Sequence, residues 1–175
     1  MLPNIKRILY TTSLGDHTRA VFRYTVSLAR THGAKITILH VVEPLIHASE
    51  FLVESYLPEA APDTATLAAP TGQSQQVLAR IRERVARFYA EELGPDAHAD
   101  LVESIMVDSG SPPDMIVRRA NMLDADLLVV GRNAGGGGWK TVLRGSTSRQ
   151  VMQLTTRPVL VVAHGTEERW SERRG

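Results

Sequence analysis

The residues best suited to chemistry in this chain are glycines that lie between two strand-like runs. The first run, Asp126–Val130, ends at Gly131, and the second, Val159–Ala163, follows a short helical pattern. A run of four glycines, 135–138, and a further glycine at Gly145 lie between them. Successive glycines let backbone N–H groups approach an anion closely, and the N-terminus of a following helix adds a favourable dipole. The pattern predicts a phosphate-binding loop. The alternative is a flexible loop that has lost its ligand, because successive glycines cost entropy to order.

Length, charge and composition exclude several classes of function. The chain has 175 residues, of which 43% are hydrophobic, and this predicts one domain with a sizeable core. Its net charge is +1, which gives no electrostatic footprint for nucleic acid or an anionic membrane. There is no cysteine, and the six histidines show no metal-ligand spacing. No apolar run approaches the ~18 residues that span a bilayer, and the N-terminus lacks a signal-peptide pattern, so we expect a cytoplasmic protein.

Short apolar segments alternate with amphipathic helical patterns along the chain. This alternation predicts an α/β fold, with a parallel sheet covered by helices on both faces. Ligands of such sheets bind beyond the carboxyl ends of the strands, where the strand order reverses. The predicted strands are 5–12, 35–42, 101–107, 126–130 and 159–163, and the predicted helices are a segment that ends at Gly33, 75–92, 112–123 and 147–154.

The region before the longest helix is the least regular part of the sequence. Residues 45–75 carry scattered prolines, which predict a long surface loop that is either a variable connection or a lid over the site. In the helix that follows, apolar spacing predicts one buried face. That face consists of Val77, Ile81, Val85 and Phe88.

The glycine-rich stretch resembles the nucleotide loop of the universal stress protein family, whose signature is Gly, two residues, Gly, nine residues, Gly, then Ser or Thr. Gly135, nine residues, Gly145 and Ser146 fit its second half, whereas Gly131 and Gly135 are separated by three residues. The resemblance covers most of residues 4–163. It implies a five-stranded parallel sheet of order 3-2-1-4-5 in the adenine nucleotide alpha hydrolase-like fold. The domain would then span 1–165, with 45–75 as a variable loop and 166–175 as a charged tail.

The resemblance also implies a set of ligand-binding positions. The glycine motif would hold the phosphates and ribose of ATP, and the backbone of Val41 would contact adenine. Members that bind ATP usually carry an Asp at the end of strand one, where this chain has Ser13. The implied binding residues are Thr11, Thr12, Ser13, Val41, Val130, Gly131, Arg132, Gly135, Gly145, Ser146 and Thr147.

Several of these residues have a simpler alternative role. Ser13 and Asp16 have the spacing of a capping box for the first helix. Val41 fits a core valine, and Arg132 fits a solvated surface cation. His40, between two apolar residues, is predicted to be a core residue on one face of the sheet.

The sequence as a whole predicts a universal stress protein that binds ATP, or ADP or AMP, as a regulatory ligand, with Mg²⁺ as an optional ion. The alternative is a non-nucleotide dimeric stress protein that acts as an interaction or chaperone-like module. We find no candidate catalytic residue and no metal ligand set, so we expect slow ATP hydrolysis at most. A homodimer through strand 159–163 is expected, because an apolar edge strand invites pairing. We expect neither a nucleic-acid nor a membrane partner.

Overall fold

The computed structural model describes residues 3–14, 18–43, 73–93, 100–132 and 147–163. Its core is a five-stranded parallel sheet of order β3-β2-β1-β4-β5, which confirms the predicted topology. None of the described helices is long and apolar enough to cross a membrane. The strands are β1 Arg7–Thr12, β2 Lys35–Val42, β3 Val102–Ser109, β4 Leu127–Gly131 and β5 Val159–Val162, and the described helices are α1 Thr18–His32, α2 Gln73–Leu93, α3 Pro112–Met122 and α4 Thr147–Leu154.

The two faces of the sheet bury separate apolar clusters, as the alternation of helices and strands predicts. α1 and α2 cover one face, where Ile8, Tyr10 and Ile38 are buried with residues of both helices. α3 and α4 cover the other face, where Leu9 and Leu39 are buried. Neighbouring residues of one strand therefore face different helices, because side chains alternate along a strand.

The predicted element boundaries agree with the structure to within two residues, and β3 shows the reason for one of the differences. The apolar run that predicted this strand stops at Val107, yet pairing continues through Asp108 and Ser109, which lie opposite residues of β2. The amide of Gly110 then donates to the carbonyl of Val42 at 2.9 Å. Backbone hydrogen bonds do not require apolar side chains, so the strand extends past its hydrophobic segment.

The buried face of α2 differs from the predicted one. Ile81, Val85 and Tyr89 are buried, whereas Val77 and Phe88 are only partly buried. The predicted face did not include Tyr89. Tyr89 can be buried because its hydroxyl finds a partner at 3.0 Å in Tyr10.

Polar contacts fix the amino edge of the sheet, which lies opposite the carboxyl ends of the strands. One carboxylate oxygen of Asp126 accepts hydrogen bonds from the amides of Lys6 and Arg7, each at 2.8 Å. Asp124 pairs with the guanidinium groups of Arg7 and Arg157. These contacts hold the start of β1 against the start of β4, and so fix the register of the two central strands.

Candidate functional site

A cleft of about 170 Å³ lies at the carboxyl ends of the strands, where the strand order reverses between β1 and β4. This is the location in which open α/β sheets bind their ligands. The structure does not describe Gly135, Gly145 or Ser146. Every other predicted binding residue lines this cleft, namely Thr11, Thr12, Ser13, Val41, Val130, Gly131, Arg132 and Thr147.

The end of β1 forms the floor of the cleft. Thr12 is buried, and its hydroxyl accepts a hydrogen bond from the amide of Leu14 at 3.1 Å. Leu14 has a φ of 57°, which is uncommon for a residue with a side chain. This local hydrogen bond turns the chain sharply, as Ser and Thr hydroxyls do in turns. Ser13 is consequently exposed at the cleft.

The capping-box interpretation of Ser13 is wrong. A residue at the N-cap must be followed directly by helical residues, but the next residue, Leu14, has a positive φ. The described part of α1 is Thr18–His32. The hydroxyl of Ser13 is therefore not the N-cap of α1, and the local geometry leaves it at the wall of the cleft.

Gly131 ends β4 and has a packing role that the sequence prediction did not include. A Cβ atom at this position would lie 3.2 Å from Cγ2 of Val21 in α1. A glycine therefore allows α1 to approach the end of β4 closely. The next amide, of Arg132, donates to the carbonyl of Val162 at 2.8 Å, which continues the pairing with β5.

The sequence prediction missed a second group of residues that line the cleft. Side chains alternate along β1, so residues on both faces of its carboxyl end line the cleft. Thr11 faces one helix layer, and Tyr10 and Thr12 face the other. A prediction based only on strand ends and the glycine loop could not find residues contributed by helices. The additional lining residues are Tyr10, Thr18, Val21, Leu39, Pro112, Ile116, Ser148, Val162 and Ala163.

Buried polar side chains lie on the α1 and α2 side of β1. Nδ1 of His40 lies 2.9 Å from the carbonyl oxygen of Thr12, and because a carbonyl only accepts, this nitrogen carries the proton. His40 is 2% exposed, which confirms its prediction as a core residue, and burial lowers its pKa below the usual value. Tyr10 donates to the carbonyl of Thr18 at 3.2 Å, and burial raises the pKa of Tyr10 to about 12.

The cleft combines an apolar end with a polar end. Residues of β2 and α3, among them Val41 and Ile116, supply the apolar end. The polar end lies on the other side of β1, where α4 begins. Arg132, the charged residue among the described lining residues, lies at this end. Hydroxyl groups, a guanidinium and a helix N-terminus bind anions, whereas apolar walls bind flat rings. Within the described ranges, no cluster of His, Asp and Glu is suited to hold a metal ion.

Comparisons with known proteins agree with this architecture. The model of the universal stress protein family matches residues 4–163. A universal stress protein of Thermus aquaticus, encoded in the 3′ region of the QAH/OAS sulfhydrylase gene, is 27% identical over 157 residues, which cover 90% of this chain and 98% of the relative. The universal stress protein YxiE of Bacillus subtilis strain 168 is 32% identical over 138 residues, covering 78% of this chain and 84% of the relative.

A solved structure has the same fold at lower sequence identity. The crystal structure of a universal stress protein in complex with cAMP aligns with a TM-score of 0.55 at 21% identity, covering 91% of this chain and 98% of that one. The family match extends over the whole described sheet. The chain belongs to the universal stress protein family.

Proposed function

We propose that this protein binds an adenine nucleotide in the cleft between β1 and β4 and uses it as a regulatory ligand in a stress response. One observation supports the proposal: those implied ligand contacts that the structure describes line a single cleft at the reversal of strand order. A family member has been crystallised in complex with cAMP, which supports an adenine nucleotide as the ligand.

The two ends of the cleft fit the two ends of a nucleotide. We propose that the base lies on the apolar side, near Val41 and Ile116, where flat rings lose contact with water. The phosphate would lie across β1, where Arg132 can neutralise charge and the start of α4 at Thr147 presents backbone amides. ATP, ADP and AMP share this base and differ in phosphate number, so their relative affinities report on the polar end.

We propose binding without efficient turnover. Hydrolysis of a phosphoanhydride requires a positioned water and, in most enzymes, a group that orients or deprotonates it. The described lining residues include no carboxylate, and the polar groups at the end of β1 are hydroxyls. Slow ATP hydrolysis is the most that we propose.

A second candidate function is a dimeric interaction module that binds no nucleotide. Ser13 favours it, because this neutral side chain is exposed at the cleft in place of the carboxylate found in members that bind ATP. In both candidate functions we propose a homodimer through β5, which lies at the edge of the sheet and keeps Val159, Leu160 and Val161 only partly buried. We further propose a cytoplasmic location.

Two measurements test the proposed function. Protein purified without added nucleotide is denatured, and mass spectrometry of the released small molecules identifies any resident nucleotide. Isothermal titration calorimetry with ATP, ADP, AMP and cAMP then gives affinities, which we expect in the micromolar range, equivalent to about 8 kcal/mol. Arg132→Gln should weaken binding of all phosphorylated ligands. Arg118→Gln is the matched control, because Arg118 is exposed on α3 and does not line the cleft. The absence of binding for all four nucleotides contradicts the proposal.

A further inference from the structure

The turn after β1 lines the cleft, and side chains from β2, β1 and α2 contact the backbone beside it or support those contacts. This turn contains Ser13, which is exposed at the cleft, and it leads to Thr18, where α1 begins. Thr12 precedes it and Leu14 follows Ser13 with a φ of 57°. Such a conformation costs free energy and persists only where the surrounding contacts impose it. The contacts that impose this conformation therefore determine where Ser13 lies at the cleft.

The first contact comes from β2. His40 lies opposite Thr12 in the parallel pairing of the two strands, and its Nδ1 donates to the carbonyl of Thr12 at 2.9 Å. Both residues are buried, so water does not compete for this hydrogen bond. The contact fixes the last peptide plane of β1, directly before Ser13.

The second contact is a directed chain of hydroxyl groups that starts in α2. Tyr89 donates to the hydroxyl of Tyr10 at 3.0 Å, and Tyr10 donates to the carbonyl of Thr18 at 3.2 Å. Because a carbonyl only accepts, the proton of Tyr10 points to Thr18, and the lone pair of Tyr10 is left for Tyr89. Burial raises the pKa of both phenols, so both remain neutral donors over the physiological range.

Ring packing keeps this chain of hydroxyls in place. The rings of Tyr10 and Tyr89 meet edge to face at 5.7 Å, and Phe22 of α1 packs on Tyr89 with ring centroids 4.4 Å apart. The two tyrosines are at most 1% exposed. The aromatic geometry thus fixes the position of the Tyr10 hydroxyl, and that hydroxyl fixes the first peptide of α1.

We propose that His40, Tyr10 and Tyr89 are positioning residues for the cleft: from β2, β1 and α2 they hold the turn that presents Ser13 to the ligand, an inference that rests on the proposed nucleotide site. His40 bonds to Thr12, directly before Ser13, and Tyr10 bonds to Thr18, the first described residue of α1. Tyr89 acts through Tyr10, and it couples the packing of α2 to the shape of a cleft that is lined by none of the α2 side chains the structure describes.

Hydroxyl deletions and a matched pair at His40 test this proposal. Tyr10→Phe and Tyr89→Phe each remove one hydroxyl and keep the ring. His40→Leu and His40→Asn introduce side chains with the same number and branching of heavy atoms, but only Asn retains a donor close to the position of Nδ1. Val85→Ala is the control, because this buried residue one turn before Tyr89 loosens α2 without removing a polar group.

Two readouts are measured for each variant. Calorimetry with AMP gives affinity, and hydrogen exchange of the Leu14 amide in the nucleotide-free protein reports on the turn. We expect Tyr10→Phe and His40→Leu to weaken AMP binding about 3- to 10-fold and to accelerate Leu14 exchange. We expect a smaller effect from Tyr89→Phe and near wild-type behaviour from His40→Asn.

The outcomes separate this inference from the proposed function. Unchanged Leu14 exchange in both Tyr10→Phe and His40→Leu overturns the inference, whatever the affinity. The inference also fails if Val85→Ala has the same effect at an equal loss of global stability, because general loosening then explains the data. If the wild type binds no adenine nucleotide, the proposed function fails, while Leu14 exchange still decides whether these residues hold the turn.

Discussion

The ion pair between Asp108 and Arg119 supports a prediction whose magnitude follows from its geometry. Asp108 lies at the end of β3, opposite Val41, and Arg119 lies in α3. The guanidinium contacts both carboxylate oxygens, through Nε at 2.5 Å and a terminal nitrogen at 2.6 Å. This bidentate arrangement is stronger and more directional than a single contact. The hydrogen bond to Asp108 also raises the pKa of Arg119 above its ordinary value.

We expect Arg119→Met to lower the free energy of unfolding by about 2 kcal/mol. The Asp108 side chain is only 10% exposed, so loss of its partner leaves a poorly hydrated charge. Removing one partner of a fully buried pair costs about 3–5 kcal/mol. Arg119 is 29% exposed, and water that enters the vacated volume offsets part of that cost. For a chain of this length, the loss corresponds to a decrease in Tm of about 4–8 °C.

Urea denaturation at pH 7 and fixed protein concentration measures this effect. Arg118→Met is the control, because Arg118 is exposed in the same helix turn, and we expect a change within about 0.5 kcal/mol. Adding Asp108→Asn to Arg119→Met should recover part of the loss, since it removes the unpaired charge. A single Arg119→Met variant with wild-type stability would refute the reasoning, because the carboxylate would then be adequately hydrated without its partner.

Three further predictions concern other parts of the molecule. Val161→Lys places a charge on the apolar edge strand and should convert a dimer into monomers in light scattering, whereas a wild-type monomer at tens of micromolar would contradict the proposed interface. Ser13→Asp should tighten adenine nucleotide binding in calorimetry if the family carboxylate contacts the nucleoside, and weaker binding would favour a different ligand. Asp124 accepts hydrogen bonds from Arg157 and Arg7, which lower its pKa below the ordinary carboxyl value. Its contribution to stability should therefore be present above the ordinary carboxyl pKa and be lost as the pH falls through the lowered pKa, so Asp124→Asn should reduce the wild-type loss of stability on acidification below about pH 5 in urea denaturation.

Much of the fold could be predicted because the strands are recognisable in the sequence as short apolar runs. β2 is rich in β-branched residues, and its predicted bounds agree with those of the structure. The bounds of α4 agree as well. The order of the strands came from the family resemblance and not from periodicity, since many parallel orders satisfy the same alternation of elements.

The candidate site was predicted in part, and the misses have physical reasons. Strand ends and the reversal of strand order located Thr11, Thr12 and Val130, because these features depend only on topology. The turn at Leu14 could not be predicted, since its positive φ depends on tertiary contacts and not on a glycine. Tyr89 lies 79 residues from its partner Tyr10, a separation at which local spacing carries no information.

The hydrogen bonds that Asp126 accepts at the amino edge of the sheet also bear on the order of folding. This carboxylate lies 119 residues along the chain from the amide of Arg7. β1 can pair with β2 as soon as β2 has been synthesised, but its other side stays unpaired until β4 has been synthesised. A central strand with one open side can pair wrongly with another chain, and such long-range closures are slow. We therefore expect the pairing of β1 with β4 to be a late step of folding that is open to mispairing, and the hydrogen bonds to Asp126 to stabilise it once formed.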